Sequence, residues 1–130
     1  MLLKFKNSYN DVKTIKKFLI KNFGGSIILK GVKNSLIITG WIGADMVAFA
    51  RVITDGYNDA YIAEVCVDNN FRNRGIGQKL INYVCNKELK KCSRIFLRSA
   101  TAGTFYTEHC NFKISDGKFY EYDALGLVRI

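Results

Sequence analysis

The sequence predicts a single α/β domain built on a mixed, mostly antiparallel sheet. Three observations carry this. Apolar segments separated by turn residues run from Leu36 to Val67, a strand–loop–helix–strand succession follows from Ala60 to Leu97, and the 130 residues contain no repeat, low-complexity tract or linker-like stretch. The first pattern is that of a meander, and the second adds a crossover connection. Residues 1–130 therefore read as one domain.

Each element has a local cause. Leu2 to Phe5 suits a short edge strand. Asn10-Asp11 offers an N-cap, after which Val12, Ile15, Phe18, Leu19 and Phe23 recur at helical spacing until Gly24-Gly25 stops the run. Ser26 to Lys33 fits either a short helix or a strand. Leu36 to Trp41, Met46 to Thr54 and Ala60 to Val67 are the meander strands, joined by turns at Gly43-Ala44-Asp45 and Asp55 to Asp59. Asp68 to Arg74 is a polar loop. Ile76, Leu80, Ile81 and Val84 mark a helix, Arg94 to Leu97 a buried strand, and Ala102 to Cys110 a short helix. Two closing strands are expected around Phe112 to Ile114 and Phe119 to Tyr122.

Composition narrows the class. With 48% apolar residues the chain can bury a core, and 24% charged residues is ordinary for a globular protein. No apolar run reaches the ~20 residues that cross a bilayer, and Met1-Leu-Leu-Lys-Phe-Lys6 lacks a signal-peptide apolar region, so a cytoplasmic protein with no membrane role is expected. Cys66, Cys85, Cys92 and Cys110 form no C-x-x-C pair and read as free thiols; with His109 the one histidine, no metal site is expected. Twenty Lys and Arg against eleven Asp and Glu give a net charge of +9, which suits an anionic partner. Arg72 and Arg74 stand together in one loop and the basic residues form no stripe with aromatics, which disfavours nucleic acid.

That loop lies in Glu64-Val-Cys-Val-Asp-Asn-Asn-Phe-Arg-Asn-Arg-Gly-Ile-Gly-Gln-Lys79, where a strand enters a basic turn and a helix starts at once. The first N–H groups of a helix lack internal partners and carry the positive end of its dipole. Gly75 and Gly77 let an anion approach that backbone, and Arg72 and Arg74 add charge. The chemistry is that of a phosphate or pyrophosphate site. Neither the Gly-Lys-Ser/Thr of a Walker A loop nor the third glycine of the dinucleotide fingerprint is present.

With Arg72-Asn-Arg-Gly75-Ile-Gly77 after Val65-Cys-Val67, a meander before it and a tyrosine-bearing helix after it, the sequence resembles the GCN5-related N-acetyltransferases (GNAT family). The strand Phe49-Ala-Arg-Val52 followed by Thr54-Asp55 is similar to that of a small bacterial single-domain subgroup. The resemblance implies a sheet of six to seven strands, splayed between the fourth and fifth and flanked by about four helices. It implies an acetyl-CoA-dependent N-acetyltransferase whose cosubstrate is held by Val65, Cys66 and Val67 through backbone pairing, and by Arg72, Asn73, Arg74, Gly75, Ile76, Gly77 and Gln78 at the pyrophosphate. The acceptor would be an amine on a small molecule or a peptide. A non-catalytic acyl-CoA-binding sensor on the same fold is the alternative, and a homodimer through the C-terminal strands fits as well.

Transfer to an amine needs a base, because holding a lysine-like amine neutral at pH 7 costs roughly 4–5 kcal/mol, and a donor for the departing thiolate. Tyr106, in Phe105-Tyr-Thr-Glu-His-Cys-Asn-Phe112, matches the family's donor tyrosine, although Asn111 stands for a glycine and one extra residue precedes Phe112. Glu64 is the candidate base. By alternation it shares a face with Ile62 and Cys66, and a pairing with a basic side chain fits it equally well. His109, at the end of its helix, is expected to cap carbonyls. Cys66 is expected to act as a small core residue rather than a nucleophile, which leaves direct transfer. Tyr57, Tyr61, Phe119, Tyr120 and Tyr122 fit either an acceptor pocket or the sheet edge.

Overall fold

The largely apolar segments between Leu36 and Val67 pair into the centre of a sheet because β-strands buried on both faces pack against helices on either side. The structure, a computed structural model, describes residues 2–24, 29–115, 117 and 119–122. Among these, five strands run in the order β1-β2-β3-β4-β5: Leu3–Lys6, Leu36–Ile42, Asp45–Thr54, Asp59–Val67 and Arg94–Leu97. The first three pairings are antiparallel and β4–β5 is parallel. Four helices accompany them: α1 (Val12–Phe23), α2 (Leu29–Lys33), α3 (Ile76–Tyr83) and α4 (Gly103–His109). A π-turn over Val84–Glu88 extends α3 and closes with Leu89 N–H on Val84 O at 2.8 Å.

Two apolar layers hold the sheet. On one face Ile38, Ala50, Val52 and Ile62 pack with Ile76, Leu80 and Val84 of the α3 segment. On the other Ile37, Trp41 and Phe49 meet Ile15, Phe18 and Leu19 of α1 and Val32 of α2. Phe49 is fully buried, with the rings of Phe18 and Phe23 each 6.3 Å away.

The helical alternative for Ser26 to Lys33 holds over Leu29–Lys33, while residues 25–28 lie outside the described part. Asp11 occupies the N-cap position of α1 but caps no amide, and its carboxylate instead approaches Lys6 Nζ at 3.7 Å. Arg94–Leu97 is half-buried rather than buried: Arg94 is exposed and the other three residues are intermediate. The expected strands at Phe112–Ile114 and Phe119–Tyr122 do not form, and the described residues supply five strands where six to seven were expected. Phe112 turns toward α4 instead, its N–H on Tyr106 O at 3.1 Å and its ring 5.7 Å from that of Tyr106. Ile114, Phe119, Tyr120 and Tyr122 are left exposed. Alternating polarity makes a strand only where an edge engages it.

The β3–β4 ladder shifts register between Arg51 and Val52, which face Glu64 and Ile62, so Ala63 is the extra residue of a bulge. The bulge reverses the alternation. Ile62, Val65 and Val67 all pack on the α3 face while Cys66 packs on the α1 face. Glu64 therefore shares a face with Cys66 but not, as alternation predicted, with Ile62.

Asp55 fixes the turn before β4. Its Oδ1 accepts the N–H groups of Tyr57, Asn58 and Asp59 at 3.0, 2.8 and 3.2 Å, while Gly56 takes a φ of 84°. These donors, Tyr57 first, hold the Asp55 carboxyl far below the usual carboxylate range. A depressed folded pKa contributes stability that is full above the unfolded value and lost as pH falls toward the folded one. The stability advantage of the wild type over Asp55→Asn should thus be constant above about pH 5 and shrink below about pH 4, as measured by urea unfolding.

Candidate active site

β4 outruns its partner. The β4–β5 pairing ends at Ile62 opposite Leu97, whereas β4 continues to Val67, so its last residues have β3 on one side only. Asp68 N–H bonds to Val47 O of β3 at 2.8 Å. Alternation then turns the N–H and C=O of Val65 and Val67 to the open edge, and those of Cys66 to β3. Arg72 Nε already donates to the Val67 carbonyl there, at 3.0 Å.

At the end of this edge the chain makes a 3₁₀ turn (Asn69–Phe71) and enters α3 through Gly75, whose φ of 77° is left-handed. The N-cap residue, Gly75, has no side chain with which to cap the first amides. A Cβ on Gly77 would lie 3.4 Å from Phe105 Cζ and 3.8 Å from Val67 Cγ2, so α4 and β4 close around that turn. The amides of the first turn of α3 are thus presented in a cleft, as an anion site requires.

The cleft is a groove of about 520 Å³ lined by Val65, Cys66, Val67, Arg72, Asn73, Gly75, Ile76, Gly77, Gln78 and Tyr106. The fold brings these predicted residues together from β4, the glycine loop, α3 and α4. Two predicted residues lie outside the lining. Arg74 sits over the Phe71 ring, 5.2 Å from its centroid. Glu64 receives Arg51 Nε on both oxygens, at 2.9 and 3.1 Å, and Arg51 also donates to Ser35 Oγ at 3.1 Å. The pair is half-buried on the α1 face.

Ala102, Phe105 and His109 line the groove as well, together with Phe71. Phe105, Tyr106 and His109 fall on one face of α4, in line with Ala102 at its N-cap, a spacing present in the sequence. His109 thus faces the groove at the position where carbonyl capping was expected. The Tyr106 hydroxyl is pushed up from the ordinary phenol value, first by burial and then by Cys110 nearby, so it stays protonated at neutral pH. Burial also raises the Cys66 thiol, against the lowering effect of Arg72. A thiol held protonated is a poor nucleophile.

The end of α4 absorbs the extra residue. Both Cys110 N–H and Phe112 N–H bond to Tyr106 O, at 3.2 and 3.1 Å, and Asn111 takes a left-handed φ of 63°. The turn from Tyr106 to Phe112 is one residue wider than the usual left-handed helix end.

The sequence pattern of the acetyltransferase (GNAT) domain matches residues 34–114, which contain β2 to β5, the glycine loop, α3 and α4. The chain belongs to the GNAT family of acetyltransferases. No curated protein matches the sequence. Among solved structures, the fold is similar to a GNAT-family protein from Xanthomonas campestris pv. campestris (24% identity, 94% of each chain covered, TM-score 0.77). It is also similar to a GNAT-family protein from Streptococcus pneumoniae TIGR4 (16% identity, 94% and 98% covered, TM-score 0.74). An aminoglycoside acetyltransferase from an uncultured soil metagenomic sample, solved with sisomicin, shares the fold too (16% identity, 92% and 95% covered, TM-score 0.64). The overall fold is what this chain shares with them. No helix among the described residues is long and apolar enough to cross a membrane.

Asn111 gives this GNAT site a checkable dependence. Asn111→Ala should lower unfolding free energy by about 1 kcal/mol, because only glycine and asparagine tolerate the left-handed backbone cheaply, whereas Asn111→Gly should stay within about 0.5 kcal/mol of the wild type. Urea denaturation measures both.

Proposed function

We propose that the chain transfers an acetyl group from acetyl-CoA directly to a primary amine of a small molecule or peptide. One observation carries this: a single groove joins the uncapped start of α3, the open edge of Val65 and Val67, and the half-buried Tyr106. Such a groove suits a long ligand with a diphosphate at one end and an amide-bearing arm. In this proposal the amides of Ile76, Gly77 and Gln78 take the pyrophosphate, and Arg72 and Arg74 supply positive charge. Val65 and Val67 pair with the arm like an added strand, and Cys66 and Asn73 complete the walls.

The amine nitrogen attacks the thioester carbonyl carbon, the carbon–sulfur bond breaks, and the sulfur leaves with the bond's electron pair. Tyr106 supplies the proton that the thiolate takes, and its raised pKa keeps that proton available across the neutral range. Glu64 takes the proton that the amine loses, relayed by water, since the carboxylate stands on the α1 face beside the groove-lining Cys66. The protonated state of Cys66 argues for this direct route over an acyl-enzyme.

The net charge of +9 repels a polycation such as an aminoglycoside at long range and favours a neutral or acidic amine. The Arg51–Glu64 pair favours one other function, an acyl-CoA-binding sensor without turnover, because both carboxylate oxygens already accept from Arg51 Nε.

A panel of amines with acetyl-CoA, followed by thiol release, decides between the two: acceptor-stimulated release marks the enzyme, and coenzyme binding without it marks the sensor. Tyr106→Phe should cut kcat roughly 100-fold with coenzyme affinity within about threefold, and unchanged turnover removes Tyr106 from the mechanism. Glu64→Gln should lower turnover most at low pH, where little free amine is present. Gly75→Val, strained at a φ of 77°, and Gly77→Val, crowded by Phe105, should each weaken coenzyme binding, as titration calorimetry would read.

A further inference from the structure

Asp68 is the only charged side chain among the described residues that is buried. A buried carboxylate loses hydration on folding and needs its charge and hydrogen-bond capacity met by fixed partners, so those partners fix its geometry. Asp68 sits at the joint between β4 and the glycine loop, and every part of it is engaged. Its N–H donates to Val47 O at 2.8 Å and its carbonyl accepts Phe71 N–H at 2.9 Å. Its Oδ1 accepts Asn70 N–H at 3.0 Å, and its Oδ2 accepts Lys21 Nζ of α1 at 2.8 Å.

The turn so fixed places Phe71, which lines two cavities at once. One is the groove of the proposed coenzyme site, and the other, of about 390 Å³, lies on the α1 side and includes Lys17, Lys21 and Asp68 in its lining. The carboxylate therefore secures the wall between them, and Arg72 follows directly in the chain.

We propose that Asp68, clamped by Lys21, is a positioning residue that holds the glycine loop in the shape its anionic ligand requires. It touches no reacting atom. It acts through Phe71, Arg72 and the approach to Gly75, so that the loop binds without first being ordered. This rests on the coenzyme assignment above.

The test uses Asp68→Asn, which keeps the size and the acceptor for Asn70 N–H but drops the charge that meets Lys21. Coenzyme A affinity by titration calorimetry should fall about tenfold, and KM for acetyl-CoA should rise in step, with kcat at saturation within about twofold. A purely structural role would lower the melting temperature and leave affinity at 25 °C unchanged. Lys21→Met alters a side chain that is 54% exposed, so it reads the same clamp even if Asp68→Asn fails to fold, with affinity expected to fall about threefold or more. Unchanged affinity in either folded variant, or a loss confined to kcat, overturns the proposal. A wild type that binds no coenzyme A overturns the coenzyme assignment as well, whereas a wild type that binds it as tightly as both variants leaves that assignment standing.

Discussion

A strand that runs past its neighbour leaves backbone groups without partners, and the architecture of this protein follows from how that deficit is placed. β4 keeps β3 along its whole length but loses β5 after Ile62. The unmatched edge lies against a helix start that is itself short of partners. The edge of Val65 and Val67, whose Val67 carbonyl accepts Arg72 Nε, and the first-turn amides of the helix share one groove.

The two apolar layers explain why the arrangement holds. Val65 and Val67 pack on the α3 side while offering their backbone sideways. Cys66 packs on the α1 side, its thiol kept protonated by burial. The Ala63 bulge is what permits this. Were Ala63 paired in regular register instead of bulged, Val65 and Val67 would face α1, and a charged Glu64 would fall on the α3 core. With the bulge, Glu64 meets Arg51 on the α1 face.

α4 supplies the other wall. Its groove face carries Ala102, Phe105, Tyr106 and His109, and its wide terminal turn about Asn111 returns the chain beneath Tyr106. That return draws Phe112 toward the helix, which is why the apolar residues after it form no strand on β5 among the described residues. Local ring packing prevailed over the alternation in the sequence.

The sequence by itself determined most of what depends on near neighbours. The strand-to-helix junction at Arg72 to Gly77, the meander and the tyrosine-bearing helix were legible because turn chemistry and periodicity are local. So was the GNAT resemblance, which rests on those same residues. Tertiary structure alone decided which face Glu64 occupies, since a bulge shifts alternation without leaving a mark in composition. It alone decided that Glu64 meets Arg51, that Arg74 covers Phe71 rather than the groove, and that His109 lines it. It also placed Lys21 on Asp68 from 47 residues away, because a buried charge selects its partner only when distant elements close around it.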